Sequence, residues 1–431
     1  MDHLNFEDVP MQPEEVKQLQ LERLQAVLNR AARNVSYYHD LFRSINLLPE
    51  DITSLDDITR IPLTDRKTIV ERQPYGMLAV APREVVRIHT VLGPDGHPIV
   101  VAFTANDIRH WAQITARSMV RMGVTKEDAV QVCLRYSQSI CAFGMHYAAE
   151  SIGAMVIPRS NILMDEQILL MKNYRTTVLV CTPSYIREMI HYIRNNEFDA
   201  KTLFLRLVIL VDGPWTNKLR KEVAEHLFVD VYGSYGIDEI WNPGVASEED
   251  KKEEFFINED HLFSEIVDTE SGEVLPEGKT GELVLTTLTK EAYPLIRYKT
   301  GQVASLKKDE DNEGYERLKI CLTTHRTDNL IYSNDSKFYS QQVGEILKTL
   351  AQNEIKYSVV LTDGDDRDNI EVCAEVSDQV FGDQLTTVSG FKENVELELD
   401  LKLGITAHVR LMEHGALENV PVVQDKRTDK V

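Results

Sequence analysis

The sequence predicts an α/β protein, with a large multi-layer N-terminal domain of β/α layers and a β-rich subdomain, then a small α+β domain. Three observations predict it. Short apolar runs (Val130 to Leu134, Ala154 to Pro158, Thr176 to Thr182, Leu207 to Asp212) alternate with helical segments after Pro183 and Trp215, the rhythm of a largely parallel sheet. Residues 264–289 (SEIVDTESGEVLPEGKTGELVLTTLT) read as short strands joined by glycine turns. From 339 to 420 a helix, Ser340 to Ala351, combines with alternating runs such as YSVVLT and NIEVCAEV in a span of about a hundred residues, an ordinary domain size. At 431 residues the chain exceeds one ordinary core, so two or more domains are expected.

Taken in order, residues 11–45 carry helical periodicity, with Leu19, Leu21, Leu24, Val27, Leu28 and Ala31 recurring at three- and four-residue intervals. The string LDDITRIPLTDRKTIVE (55–71) reads as a loop leading to a helix capped at Thr64. Val85 to Thr104 has two β-prone flanks around Gly93-Pro94-Asp95-Gly96, which predicts a hairpin. Thr104 to Asp107 forms a capping box that opens a helix through Trp111, Ile114, Met119 and Met122. Glu248 to Glu254 is so charged that a solvated loop is expected.

Composition narrows the function. A hydrophobic content of 43% and a charged content of 27% describe a soluble globular chain. No apolar run approaches the roughly 18 residues of a membrane span, and the N-terminus lacks a basic-then-apolar signal, so no membrane partner and a cytoplasmic location are expected. The net charge of −22 argues against nucleic acid as a partner, though not against a small phosphorylated ligand. Cys133, Cys141, Cys181, Cys321 and Cys373 are scattered, mostly in apolar runs, and read as buried thiols.

Three stretches carry the chemistry. Asp230 to Ala246 (DVYGSYGIDEIWNPGVA) runs from a β-prone approach into glycines, tyrosines and the acidic pair Asp238 and Glu239. Glycine lets backbone approach a ligand, tyrosine offers a flat face to a ring, and a carboxylate can hold Mg²⁺; the same residue types also make ordinary turns. The second stretch is YPLIRYKTG (293–301) and the third RTDNL (326–330). In this order and spacing they resemble the nucleotide-binding motifs of adenylate-forming enzymes, most closely the phenylacetate–CoA ligase family.

The resemblance implies an AMP-forming acid–CoA ligase acting on a small carboxylic acid, with ATP, Mg²⁺ and CoA as cofactors and substrates. It divides the chain into 1–326, with the β-rich part at about 255–325, and a C-terminal lid, 327–431, turning about Asp328. It places Gly213, Pro214, Tyr235, Gly236, Asp238, Gln302 and Arg326 on the nucleotide. Tyr136, Ser139, Trp241 and Pro243 fall to the acyl substrate, and Glu239 to the metal and catalysis. Lys426 falls where the family's lysine meets the α-phosphate and the substrate carboxylate. Dimers are common among similar proteins, so a homodimer is the assembly to test. Where some members place cysteines for a structural zinc, this chain offers Cys321 alone, and no zinc is expected.

Departures from the family are concentrated at ligand positions. In the phosphate loop Gly93, Gly96 and Pro98 match. Val91, Leu92, Pro94 and Asp95 stand where hydroxyls are usual, and His97 stands for the lysine, so the loop is degenerate. Gln302 replaces an aspartate that binds ribose, and Ser137 to Ile140 replace a glycine- and phenylalanine-rich wall, which suggests a different or more polar acyl group. A second reading is therefore a catalytically reduced relative that binds an acyl, CoA or nucleotide ligand, or serves as a partner subunit.

Overall fold

The computed structural model describes residues 11–93, 98–160, 163–249, 254–310, 315–334, 336–364, 367–375 and 385–427. The chain divides into two compact units, one spanning 1–91, 98–212 and 217–327, the other 328–431 with the short segments 92–97 and 213–216.

The first unit is built on an eleven-stranded sheet. Strands Met155–Pro158, Ala129–Cys133, Val178–Cys181, Leu207–Leu210 and Asp230–Tyr235 lie side by side and parallel. The β-rich segment is not a sheet of its own. From Ala246–Glu248 onward its strands continue the same sheet antiparallel, through Phe255–Ile257, Glu316–Arg326, Tyr298–Glu310, Thr280–Thr287 and Leu262–Val267. Strand Asp230–Tyr235 thus stands at the change from parallel to antiparallel, where its carboxyl end is left to a loop rather than to a crossover helix.

Helices Ala105–Arg121 and Ile140–Ile152 cover the parallel strands. Met119, Cys141, Met145 and Ala148 pack with Val130, Val132, Val178, Val180, Leu207 and Ile209 in one apolar cluster. Burying each Val, Leu or Ile contributes about 1.5–3 kcal/mol, which fixes the floor on which the loops stand. The capping box holds as read: Thr104 Oγ1 accepts from Asp107 N–H, and the Asp107 carboxylate accepts from Thr104 N–H at 2.9 Å. The two expected strands of the hairpin also pair, Arg87–Val91 antiparallel with Ile99–Phe103, while residues 94–97 of its turn lie outside the described residues.

Two local expectations change. The short helix Arg66–Val70 is capped by Asp65, whose carboxylate accepts from Thr68 N–H at 2.8 Å, and not by Thr64, whose backbone bridges to Arg297 and Lys299 instead. Glu248 and Glu249 are buried rather than solvated. Glu248 accepts from Arg220 and from Gly233 N–H, and Glu249 pairs with Arg121 and Arg317; residues 250–253 lie outside the described residues. Guanidinium groups on other strands and helices explain why so acidic a run enters the core. Cys321 is exposed, whereas the other four thiols are buried.

In the second unit a four-stranded sheet runs in the order Ala407–Met412, Asn369–Glu375, Tyr357–Thr362, Val423–Asp425. Helices Ser340–Ala351 and Leu385–Leu403 cover it, with Val343, Leu347, Val395 and Leu399 packed on Val359, Leu361, Ile370 and Val372. No helix among the described residues is long and apolar enough to cross a membrane.

Candidate active site

The loop after strand Asp230–Tyr235 closes on itself. Val245 N–H donates to the Tyr235 carbonyl at 3.1 Å, Ile237 N–H to Trp241 at 3.0 Å and Ile240 N–H to Ile237 at 2.9 Å. Gly236 lies so close to the returning chain that a Cβ there would meet Asn242 Oδ1 at 2.5 Å and the Trp241 carbonyl at 2.7 Å. Only glycine fits without opening the loop.

Beneath the loop lie two cations that the sequence reading passed over. Lys290 is 1% exposed and donates to the Glu239 and Ile240 carbonyls, each at 2.8 Å; burial pulls its pKa down to about 7, against the raising influence of Asp107 and Glu239. Its ammonium also stands over the rings of Phe103 and Trp241, at 4.7 and 5.2 Å. Arg66 grips the Glu239 carboxylate at 2.7 Å and donates through Nε to Tyr298 Oη at 3.2 Å. Their segments, LTDRKTIVE and TLTKEAYP, look like scaffold because nothing local shows that their charges point inward.

This arrangement bears on the metal expected at Glu239. The carboxylate is 2% exposed, it is already matched by a guanidinium, and a second cation caps its backbone. Magnesium needs several oxygen ligands around open positions, and a divalent ion here would have to displace Arg66. Among the described residues no group of three or more His, Cys, Asp or Glu could hold a metal ion. As arranged, Glu239 is a partner of Arg66 rather than a metal cradle.

Helix Ile140–Ile152 meets the same loop at Gly144. A Cβ there would touch Pro243 Cδ at 2.6 Å and the Trp111 ring at 2.7 Å, and Trp111 Nε1 donates to the Pro243 carbonyl at 2.7 Å. Ser139 holds the N-cap position of that helix but spends its hydroxyl on Asp212 Oδ2, at 2.8 Å, rather than on a helix amide. Asn242 Nδ2 donates to Asp238 Oδ1 at 2.7 Å and reaches Asp212 Oδ1 at 3.4 Å. Asp212 itself sits at φ +58°, in the left-handed region. Tyr136 Oη contacts His146 Nδ1 at 3.0 Å; burial raises its pKa, helped by Cys133, Glu150 and Tyr147. The fold thus brings Ser139, Asp238, Trp241 and Pro243 together around one loop, whereas Tyr136 contacts His146 and Phe143 on the neighbouring helix.

The expected ribose residue is differently employed. Gln302 Nε2 donates to the carbonyls of Val303 and Thr323, and its Oε1 accepts from Arg326 Nη1 at 3.0 Å. Arg326 Nη2 donates to the Thr300 carbonyl at 2.9 Å. Gln302 therefore positions Arg326. Arg297 is scaffold: its donors go to Glu265 and to the Thr59 and Ile61 carbonyls. The remaining expected residues belong to the second unit. There Gly213 and exposed Pro214 form an irregular segment, and Gly93 is buried; Gly96 and His97 lie outside the described residues. Asp328 Oδ1 accepts from Leu330 N–H at 3.2 Å. Lys426 is exposed just after strand Val423–Asp425, and its N–H donates to the Leu361 carbonyl at 2.8 Å.

Comparison with known proteins gives this geometry its family. The AMP-binding enzyme family matches residues 96–288, and the AMP-binding enzyme C-terminal domain matches residues 336–430. Phenylacetate-coenzyme A ligase of Pseudomonas putida is 34% identical over 409 residues, covering 94% of this chain and 91% of that protein. The Thermus thermophilus enzyme of the same name is 31% identical over 415 residues, covering 93% of each. A crystal structure of 2-hydroxyisobutyryl-CoA ligase in complex with 2-HIB-AMP and CoA shares the fold, with a TM-score of 0.88 at 20% identity over 97% of this chain and 91% of that one. The chain belongs to the phenylacetate–CoA ligase family of AMP-binding, adenylate-forming enzymes and is an AMP-forming acid–CoA ligase.

Proposed function

We propose that the protein uses ATP to convert a carboxylic acid to its acyl-adenylate, releasing pyrophosphate, and then passes the acyl group to the thiol of CoA, releasing AMP. The acid oxygen attacks the α-phosphorus; the thiolate later attacks the acyl carbon, and AMP leaves with the shared oxygen. The observation that supports this most is the loop 235–243, held at the carboxyl end of strand Asp230–Tyr235 and linked to Ser139 through Asp212 and Asn242. In open α/β sheets ligands collect at the carboxyl ends of strands, where loops rather than strands set the chemistry.

In this reading Tyr235 offers its face to the adenine, with Gly213 and Pro214 at the ring edge, and Arg326, aimed by Gln302, binds the nucleotide. Tyr136, Ser139, Trp241 and Pro243 receive the acyl group. Lys426 neutralises charge developing on the α-phosphate, which is where phosphoryl and nucleotidyl transfer gains most of its rate. Magnesium bound with ATP would supply charge neutralisation at the phosphates, and no step here is routed through Glu239.

Binding of AMP tests the nucleotide assignment before any turnover is sought. A ligand specific to the folded state stabilises it by about 2.7 kcal/mol at a hundred times its Kd. The melting temperature is expected to rise with millimolar AMP, and less so in Arg326→Met. An unchanged melting temperature for the unaltered protein would remove the nucleotide site.

A further inference from the structure

Arg87 and His89 lie two residues apart on strand Arg87–Val91, so their side chains leave the same face. That face meets the aromatic wall of the acyl segment. The Arg87 guanidinium lies 4.9 Å from the ring centres of both Phe143 and Tyr147, and its Nη2 donates to Tyr147 Oη. The His89 ring lies 5.3 Å from Phe143 and 5.6 Å from Phe103, which stacks on Trp111 and neighbours Trp241.

Three buried donors or acceptors here have no hydrogen-bond partner among the described residues: Arg87 Nη1, His89 Nε2 and Trp241 Nε1. Arg87 has no carboxylate at ion-pair distance among them either. Arg220, which pairs with Glu248 and the Val231 carbonyl, also leaves one nitrogen, Nε, without a partner among the described residues, but its charge is matched by a carboxylate. Arg297 commits every nitrogen to Glu265 or to carbonyls. A buried guanidinium nitrogen without a partner is costly, and it is tolerated where a ligand completes it. Burial lowers the His89 pKa to about 4, with Arg87 and Lys290 pushing the same way and Asp238 opposing. The imidazole is thus neutral at pH 7 and adds no second charge.

We propose that the acid taken by this enzyme is an aromatic carboxylic acid carrying a second, anionic oxygen function on its ring, and that Arg87 receives that function with His89 beside it. The proposal rests on the ligase reading for the carboxyl that reacts. Phe143 and Tyr147, both half-buried, supply apolar ring contact, and Arg87 supplies a charge-assisted bond that a plain aryl acid would leave unmade. Arg87 is a specificity-determining residue, remote in function from the adenylation step.

The test compares 4-carboxyphenylacetate with phenylacetate in the full chain, by kcat/KM for CoA-thioester formation with ATP and CoA, and by melting temperature with each acid alone. The unaltered protein is expected to favour the dianion by roughly tenfold or more, since a site built to bond a polar group discriminates against its absence. Arg87→Met should abolish that preference while holding phenylacetate within about threefold, and Arg87→Lys should restore part of it. If Arg87→Met is poorly folded, Arg87→Gln gives the same comparison. Equal use of both acids, or an equal loss for both in the variants, overturns the proposal and leaves the ligase reading intact. Thermal stabilisation by the dianion that is lost in Arg87→Met, with no thioester from either acid, supports the site and removes the ligase reading. If neither acid binds nor reacts, the proposal is overturned.

Discussion

Arg66→Met is expected to destabilise the first unit by about 3–5 kcal/mol, the cost of leaving a buried carboxylate without its cation. Glu239 is 2% exposed and Arg66 Nη2 holds it at 2.7 Å, so no water can take over the role. The loop would feel the loss first. Glu239 and Ile240 lend their carbonyls to Lys290, and Ile240 N–H closes on Ile237, so a displaced Glu239 disturbs the turn that carries Tyr235 and Trp241. The double variant Arg66→Met/Glu239→Gln removes both charges and should regain most of the stability. Urea unfolding of the three proteins decides it: single and double variants with the same midpoint would show that the pair is not what holds the loop.

Lys426→Ala should act on catalysis and leave the fold alone. The side chain is exposed, while its backbone N–H is what anchors the strand end to Leu361, so truncation should change stability by no more than about 0.5 kcal/mol. If its ammonium meets the α-phosphate in the adenylation step, removal should slow acid-dependent pyrophosphate release by roughly 10²–10³-fold, the usual effect of losing one donor to developing charge. Thioester formation from a supplied acyl-adenylate should stay within about threefold. A uniform loss in both half-reactions, or none in either, would place Lys426 outside the adenylation step.

How far the sequence could be read depended on how local the signal was. The capping box at Thr104, the antiparallel pairing of the strands that flank residues 93–96 and the helix Ser340–Ala351 depend on residues close in the sequence, and each appears where the pattern puts it. The run VELELDLKL alternates as a strand would, yet it lies within helix Leu385–Leu403: Val395 and Leu399 face the core while Leu397 and Leu401 remain exposed. Tertiary packing chose the four-residue spacing over the two-residue one. Glu248 misleads for the same reason, since its partner Arg220 lies on a different element.

The site follows the same division. The loop itself was legible because glycine, tyrosine and acidic residues crowd into one short stretch. Arg66, Lys290, Arg87 and His89 were not, because each gains its meaning from a partner far along the chain. Gln302 was legible as a departure, but only the geometry shows its amide turned to Arg326 and to strand carbonyls.

The central claim, that the acid is activated as an acyl-adenylate, is tested most directly with substrate labelled by ¹⁸O in its carboxyl group. Attack of the carboxylate on the α-phosphorus, followed by thiolysis at carbon, must leave one labelled oxygen in AMP. Mass spectrometry of the nucleotide product should show that atom after turnover with CoA. Label recovered in inorganic phosphate, or AMP formed without label, would contradict the account.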